Sequence, residues 1–163
     1  SMIDAYGYDQ AKEIVSGWVA NLATEVFSND TNALKAVSSG QCGVTIVNTY
    51  YLARLLDDPK YDNLQLFWAN QSGRGVHVNI SGAGVVKTSK NKENAQQLLE
   101  YLSSDSAQDF YASANKEYPV LKEADIADSI KDWGSFIEDD INVSKLGSLQ
   151  KEAVFLAQEV GYK

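Results

Sequence analysis

Cysteine and histidine are the scarcest reactive residues in this chain, with one of each among 163 residues. A single cysteine, Cys42, excludes an internal disulfide framework and any site built on a Cys-x-x-Cys pair. A single histidine, His77, excludes a two-histidine metal site. Any serine or cysteine nucleophile would have to use this one imidazole as its base. Because His77 falls on a predicted strand rather than in a functional loop, the sequence disfavours nucleophilic catalysis.

Positive charge and long apolar runs are also in short supply. Lysine and arginine number 14 against 22 acidic residues, which gives a formal charge of −8. This balance argues against nucleic acid or an anionic membrane as a partner. No apolar run approaches the roughly 20 residues that span a bilayer. No signal-peptide pattern opens the chain, so we expect a protein that is cytosolic or already processed.

The order of the predicted elements is typical of an α/β sheet protein. Apolar side chains at helical spacing predict long helices over residues 9–23, 91–102 and 146–160. Shorter helices are predicted to start at Asn29, at 51–56 and after Ser104. Strands are predicted at 44–47, where the segment reads as buried, at 64–69 and at 76–80. Small residues at 81–84 end the third strand, as expected at a crossover between lobes.

Tyr50 and Tyr51 stand directly after the predicted strand 44–47, where a helix begins. In a strand their side chains would face opposite sides of the sheet, whereas in a first helical turn they share one end of the element. Two phenolates are hard anionic ligands that suit a hard cation such as ferric iron, and the metal supplies the field that ionises them. The alternative is two amphipathic aromatic side chains packed at a helix start with their hydroxyls in water.

Two asparagines flank this candidate metal site in the predicted structure. Asn48 precedes the tyrosines and could bond a ligand, cap its own helix, or do both. Asn29 opens the preceding helix, where it could help to hold an anion or act only as a cap. The nearby glycines at 73, 75, 82 and 84 match neither a Walker loop nor a dinucleotide fingerprint, so turns and hinges are the better interpretation.

Several blocks in order make the chain resemble the ferric-iron-binding members of the periplasmic substrate-binding proteins of ABC transporters. The resemblance spans nearly the whole chain, and its most specific block is Asn-Thr-Tyr-Tyr-Leu-Ala-Arg at 48–54. The other blocks are Asn-Asp-Thr at 29–31, Ala36-Val37 with Gly40 and Cys42, residues 73–85, residues 90–95, residues 115–120 and Trp133-Gly134.

The resemblance implies a periplasmic-binding-protein-like (type 2) α/β fold, in which two lobes close on ferric iron and a synergistic anion such as carbonate or phosphate. It implies that Tyr50 and Tyr51 supply phenolate ligands and that Asn48 contacts the anion, with Asn29 as a weaker candidate for the same role. It also implies a non-enzymatic, periplasmic protein that delivers its cargo to a membrane permease. Closure would be linked to the ligand that bridges the lobes.

The chain departs from the family in length, because family members are about twice as long. We therefore expect a fragment: 1–80 in the C-terminal lobe, 81–131 as a segment of the N-terminal lobe, and 132–163 returning to the C-terminal lobe. The remaining iron ligands, a histidine or tyrosine with a carboxylate, would precede Ser1, as would the anion-binding helix N-terminus. We expect the fragment to bind iron weakly or not at all, and its helices at 91–116 to seek another surface by self-association or swapping.

Three other functions stay open at this stage. The chain could come from a binding protein for another metal or anion. It could be a small non-haem iron enzyme that uses the tyrosines, which would need open coordination positions and further ligands. It could also be a folded module that binds nothing.

Overall fold

The computed structural model describes residues 1–121 and 123–162; Lys122 and Lys163, inside the predicted ranges 81–131 and 132–163, lie outside this description. Eight α-helices account for most of the regular structure in the described residues. They are α1 (Met2–Tyr6), α2 (Tyr8–Ala20), α3 (Asp30–Ser38), α4 (Thr49–Leu55), α5 (Lys92–Leu102), α6 (Asp105–Asn115), α7 (Asp128–Lys131) and α8 (Leu146–Glu159), with 3₁₀ turns at Pro59–Tyr61 and Val143–Lys145.

The chain divides into two compact units, each built from separate stretches of sequence. The first unit comprises Ser1–Ile46, Trp68–Val78 and Phe136–Lys163, and the second comprises Val47–Phe67 and Asn79–Ser135. These units group the chain by contacts among its own residues. The division into 1–80, 81–131 and 132–163 concerns the lobes of a whole binding protein, and it stays a prediction.

In the first unit, α1, α2 and α8 pack around small and aliphatic side chains, with Ala11 and Leu156 buried. The ends of α2 and α8 are tied by Glu159. It accepts a hydrogen bond from the Tyr8 hydroxyl at 3.1 Å and pairs with the Lys12 ammonium at 2.5 Å. The helices predicted at 9–23 and 146–160 are confirmed as α2 and α8, although α2 ends at Ala20. Gly161 follows the end of α8 with a φ of 77°.

Two segments of the first unit, 68–78 (with its turn at 69–74) and 136–141, contact each other and form what we call the 68–78/136–141 junction. Val76 donates to the Ile137 carbonyl at 2.9 Å, and Asp139 donates to the Val76 carbonyl at 2.8 Å. The Gln71 side chain adds a second pair of bonds, donating to the Ile137 carbonyl at 3.0 Å and accepting from the Ile137 amide at 2.6 Å. These contacts give one isolated parallel bridge, between Val76 and Glu138.

The second unit has its own small core beneath α4, α6 and α7. Its buried side chains are Leu52, Ala53, Leu64, Ala107, Ala112 and Ile130. Leu52 and Ala53 lie on one face of α4 and fix which face of that helix turns toward solvent. This packing sets the orientation of the two tyrosines at the start of α4.

The predicted strands are only faintly present in the structure. Across residues 1–121 and 123–162, the Val76–Glu138 bridge is the one β-pairing, and no ladder forms at 44–47 or 64–69. The prediction of a buried strand at 44–47 is wrong, since Val44 is 88% exposed and Ile46 is 81% exposed. A strand requires a hydrogen-bonded neighbouring strand, and the apolar pattern of one segment does not show whether such a neighbour exists.

The helices at 92–102 and 105–115 form as predicted, but their apolar faces are less covered than expected. Leu98 and Phe110 belong to the apolar side chains of α5 and α6, yet both are exposed. Helical spacing identifies the apolar face of a helix but not the surface that covers it. No helix in the described part of the chain is long and apolar enough to cross a membrane.

Candidate metal centre

Tyr50 and Tyr51 lie in the first turn of α4, as the sequence predicts. Asn48 is the N-cap residue with an extended backbone, and its carbonyl accepts from the Tyr51 amide at 3.2 Å. Leu52 and Ala53, directly after the tyrosines, are buried and anchor the helix. The tyrosines themselves are half-buried, so their rings are held by protein while part of each stays accessible.

The two phenol rings lie against each other. Their centroids are 4.3 Å apart and their planes are inclined by 35°. The guanidinium of Arg54, one turn further along α4, lies 5.0 Å from the centroid of the Tyr50 ring. A cation over an aromatic face is attracted by the ring quadrupole, so Arg54 also restrains the Tyr50 ring. Neighbouring positions in a helical turn therefore bring two phenols into one small region.

Asn48 is held by a partner that the sequence pattern did not indicate. Its side-chain oxygen accepts a hydrogen bond of 3.1 Å from the side-chain amide of Asn79. Asn48 stands at the N-cap position of α4, but within the described residues its side chain makes no capping bond to that helix. The bond from Asn79 fixes which end of the Asn48 amide is the oxygen and so turns its NH₂ group the other way.

Asn29 performs the capping role that its position suggests. Its side-chain oxygen accepts from the Asn32 amide at 2.9 Å, and its backbone is extended, as at most N-caps. Asn29 belongs to the first compact unit, whereas Asn48 and the tyrosines belong to the second. The described contacts therefore bring Asn48, Tyr50 and Tyr51 together with Asn79, and they do not include Asn29 in that group.

A lysine from far along the chain contacts the other end of α4. Lys116 donates to the Ala53 carbonyl at 3.2 Å and forms an ion pair with Asp57. Lys116 and Asn79 are 63 and 31 residues from their respective partners. No local periodicity or motif predicts pairs at such separations, and in the sequence both residues belong only to the blocks of resemblance at 115–120 and 73–85.

The most buried of the ion pairs described in the first unit, between Arg74 and Asp139, is a separate structural feature. Arg74 donates to Asp139 at 2.7 Å through Nε and lies 5.3 Å from the Tyr6 ring centroid. Burial by itself would raise the pKa of Asp139, but the hydrogen bond and charge of Arg74 outweigh it and lower that pKa. Arg74 is thus engaged within the protein. In the described residues, no group of three or more His, Cys, Asp or Glu side chains is placed to hold a metal.

Solved structures with the same fold define the class of protein. The structure of Trichodesmium FutA (IdiA) in complex with iron and citrate ligands is 43% identical with a TM-score of 0.93, covering 99% of this chain and 53% of that one. The apo ferric ion-binding protein A of Pasteurella haemolytica is 36% identical with a TM-score of 0.91, covering 99% of this chain and 52% of that one. The chain therefore has the periplasmic-binding-protein-like fold, and nearly all of it matches about half of each of these larger structures.

Residues 3–137 match the family described as bacterial extracellular solute-binding protein, and the chain belongs to that family. Iron uptake protein A1 of Synechocystis is 41% identical over 169 aligned positions, which cover 100% of this chain and 47% of that protein. The chain thus spans about half the length of the curated relatives that it matches along its whole length. These relatives are named as uptake and binding proteins rather than as enzymes.

Proposed function

We propose that this chain belongs to the ferric-ion-binding component of an ABC-type iron uptake transporter. The observation that carries the proposal is the tyrosine pair itself, two phenols whose ring centroids lie 4.3 Å apart at the start of α4, next to Asn48. Relatives named for iron uptake and ferric binding, at 41% identity over the whole chain and 28% over 58% of it, support the same cargo.

Tyr50 and Tyr51 serve as two phenolate ligands of the ferric ion. Hard anionic oxygens match a small trivalent cation, and the ion in turn lowers the cost of ionising each phenol. Asn48 presents its amide NH₂ group to a synergistic anion such as carbonate or phosphate, with its orientation set by Asn79. Asn29 is the weaker candidate for the same anion, because its oxygen already caps α3.

In the whole protein, residues 1–80 and 132–163 belong to the C-terminal lobe and 81–131 to the N-terminal lobe. The ion bridges the two lobes and stabilises the closed clamp, because only the closed state completes its coordination. The protein is periplasmic, has no catalytic activity, and delivers the ion to a membrane permease. Membership in an extracellular solute-binding family supports this location and partner.

Ferric titration of the full-length protein, followed by the purple-red phenolate-to-iron charge-transfer absorption, tests the proposal. Citrate-buffered ferric ion is added in the presence of bicarbonate or phosphate. Tyr50→Phe and Tyr51→Phe each remove one ligand oxygen and leave the ring in place, so we expect each to weaken affinity by at least about 100-fold, or roughly 3 kcal/mol. Tyr101→Phe, at an exposed position on α5, is the matched control and should leave affinity and colour unchanged.

Two results would contradict the assignment. One is full-length protein that stays colourless with ferric ion and either anion. The other is unchanged affinity in both tyrosine variants. Residues 1–163 alone should bind weakly or not at all, because two phenolates and water leave the coordination shell incomplete. Tight binding by a monomer of this length would show that the shell is filled in another way.

Self-association of residues 1–163 is a further part of the proposal. Leu98 on α5 and Phe110 on α6 expose large apolar surfaces, which are costly to leave in water. A second copy of the chain can cover them. Sedimentation velocity over a range of concentrations should show dimers or larger species, whereas a monomer at every concentration would contradict this part and leave the iron site unaffected.

A further inference from the structure

Lys116 occupies a backbone conformation that side-chain-bearing residues usually avoid. It is the C-cap of α6, with φ 60° and ψ 33° in the left-handed region, where glycine is the common residue. A residue with a β-carbon pays a steric cost in this conformation. An unfavourable backbone position that retains a long side chain points to a use for that side chain.

The Lys116 side chain is folded back against the protein rather than extended into solvent. It is only 15% exposed, although its ion-pair partner Asp57 is 65% exposed. Its ammonium donates to the carbonyl of Ala53, which is itself buried. The carbonyls in the last turn of a helix lack intrahelical partners and carry partial negative charge, so an ammonium at Ala53 satisfies both the hydrogen bond and the helix dipole.

The consequence for the tyrosines follows from the shortness of α4. This helix has seven residues, and Ala53 lies three positions after Tyr50, about 4.5 Å along the axis. So short a helix is not stable alone and takes its position from the packing of Leu52 and Ala53 together with the contacts at its two ends. At the N-terminal end of α4, Asn79 donates a hydrogen bond to Asn48. At the C-terminal end, Lys116 donates to the Ala53 carbonyl. The packing of Leu52 and Ala53 sets the face of α4 that carries the two phenols, and the bond from Lys116 to the Ala53 carbonyl holds the far end of that helix in place.

We propose that Lys116, through its bond to the Ala53 carbonyl and its ion pair with Asp57, is a positioning residue for the Tyr50–Tyr51 phenolate pair. The inference rests on the proposed function of that pair as ferric ligands. In this proposal Lys116 bonds to Ala53 and Asp57 and is not itself a ligand of the ion. It acts by fixing the far end of the helix that carries them.

The test compares Lys116→Met, Lys116→Arg and Lys35→Met in full-length protein titrated with citrate-buffered ferric ion. Methionine keeps the length and β-carbon of lysine and removes the ammonium, so the backbone cost at φ 60° is unchanged. We expect Lys116→Met to weaken ferric affinity about five- to thirtyfold and to shift the phenolate-to-iron absorption. Arginine, which can still donate to Ala53, should recover most of the affinity.

Lys35→Met removes an equal charge from an exposed position on α3 and should change neither affinity nor absorption. Lys116→Gln, which retains a hydrogen-bond donor without charge, replaces the methionine variant if that variant does not fold, and should lie between wild type and the expected methionine value. A lysine with only a structural role would lower the urea stability of the iron-free protein and leave the absorption of the loaded protein in place.

The outcomes separate this inference from the proposed function. If Tyr50→Phe and Tyr51→Phe lose the ion while Lys116→Met or Lys116→Gln keeps wild-type affinity and absorption, the positioning role is wrong and the ferric site stands. If the tyrosine variants keep wild-type affinity, the ferric site is wrong and the inference falls with it.

Discussion

Gly75 offers the sharpest test of the 68–78/136–141 junction. Its φ is 88°, and a β-carbon added there would lie 2.5 Å from the Glu138 carbonyl oxygen and 2.7 Å from that of Ile137. Real β-carbons do not approach backbone oxygens so closely. Gly75→Ala therefore forces the two segments apart as well as placing a side chain in the left-handed region.

The size of the effect can be worked out from the same contacts. A side chain at positive φ costs about 1–2 kcal/mol. Separating the segments breaks the bonds from Val76 to Ile137 and from Asp139 to Val76, at about 1 kcal/mol each. Gly75→Ala should therefore lower the free energy of unfolding by about 3–4 kcal/mol. For a chain of this size, that corresponds to a fall of roughly 10 °C in Tm.

Urea unfolding followed by tryptophan fluorescence is the appropriate assay, because Trp68 stacks on Phe136 at this junction with ring centroids 4.2 Å apart. Gly73→Ala is the matched control two residues away. Its added β-carbon would meet nothing nearer than the Asn70 carbonyl at 3.9 Å, so its effect should stay within about 1 kcal/mol. A loss below about 1 kcal/mol in Gly75→Ala, or equal losses in both variants, would show that the close approach of Gly75 to Ile137 and Glu138 does not stabilise the junction.

Three further outcomes follow from other contacts. Asp139→Asn should lower the free energy of unfolding by about 3 kcal/mol at neutral pH. The Asp139 side chain is only 5% exposed, and loss of its negative charge leaves Arg74 without a counter-ion. The pKa of Asp139 is lowered in the folded state, so the pair stabilises fully above the unfolded value of about 3.9 and is lost as pH falls through the folded value. The free energies of unfolding of wild type and Asp139→Asn, measured by urea unfolding, should therefore begin to converge below about pH 4. A difference that stays constant with pH would show that the ionised Asp139 carboxylate does not stabilise the fold. Asn29→Ala should remove a cap worth about 1 kcal/mol, measured by urea unfolding, and a change below about 0.3 kcal/mol would count against the cap. Asn79→Ala should reduce the dependence of ferric affinity on added phosphate about three- to tenfold, because Asn48 loses its fixed orientation; undiminished dependence would count against the role of Asn79.

The helices could be predicted because their signals are local. Asn29 caps α3 through a residue three positions away, and Gly40 and Gly161 follow helix ends with φ values of 78° and 77°. Tyr50 and Tyr51 fall in a first helical turn for the same reason: the start of α4 is set by its immediate neighbours. Each of these features depends on spacing within a few residues, which the sequence displays directly.

The remaining features depend on partners that lie far away in the sequence. Val44 and Ile46 have the composition of a buried strand, yet burial requires a neighbouring strand and a covering layer. The exposure of Leu98 and Phe110 reflects the same limit for helix faces. At the candidate site, Lys116 would be expected on the surface, because lysine side chains are rarely buried. Only the fold brings it to the Ala53 carbonyl.

Resonance Raman spectroscopy of the ferric-loaded full-length protein, excited within its visible absorption, tests most directly whether Tyr50 and Tyr51 coordinate the ion. Coordination by Tyr50 and Tyr51 predicts strongly enhanced tyrosinate ring vibrations. These should weaken in each single Tyr→Phe variant and persist in Tyr101→Phe. A loaded protein without enhanced tyrosinate vibrations, or with vibrations that survive unchanged in both single variants, would show that Tyr50 and Tyr51 do not coordinate the ion.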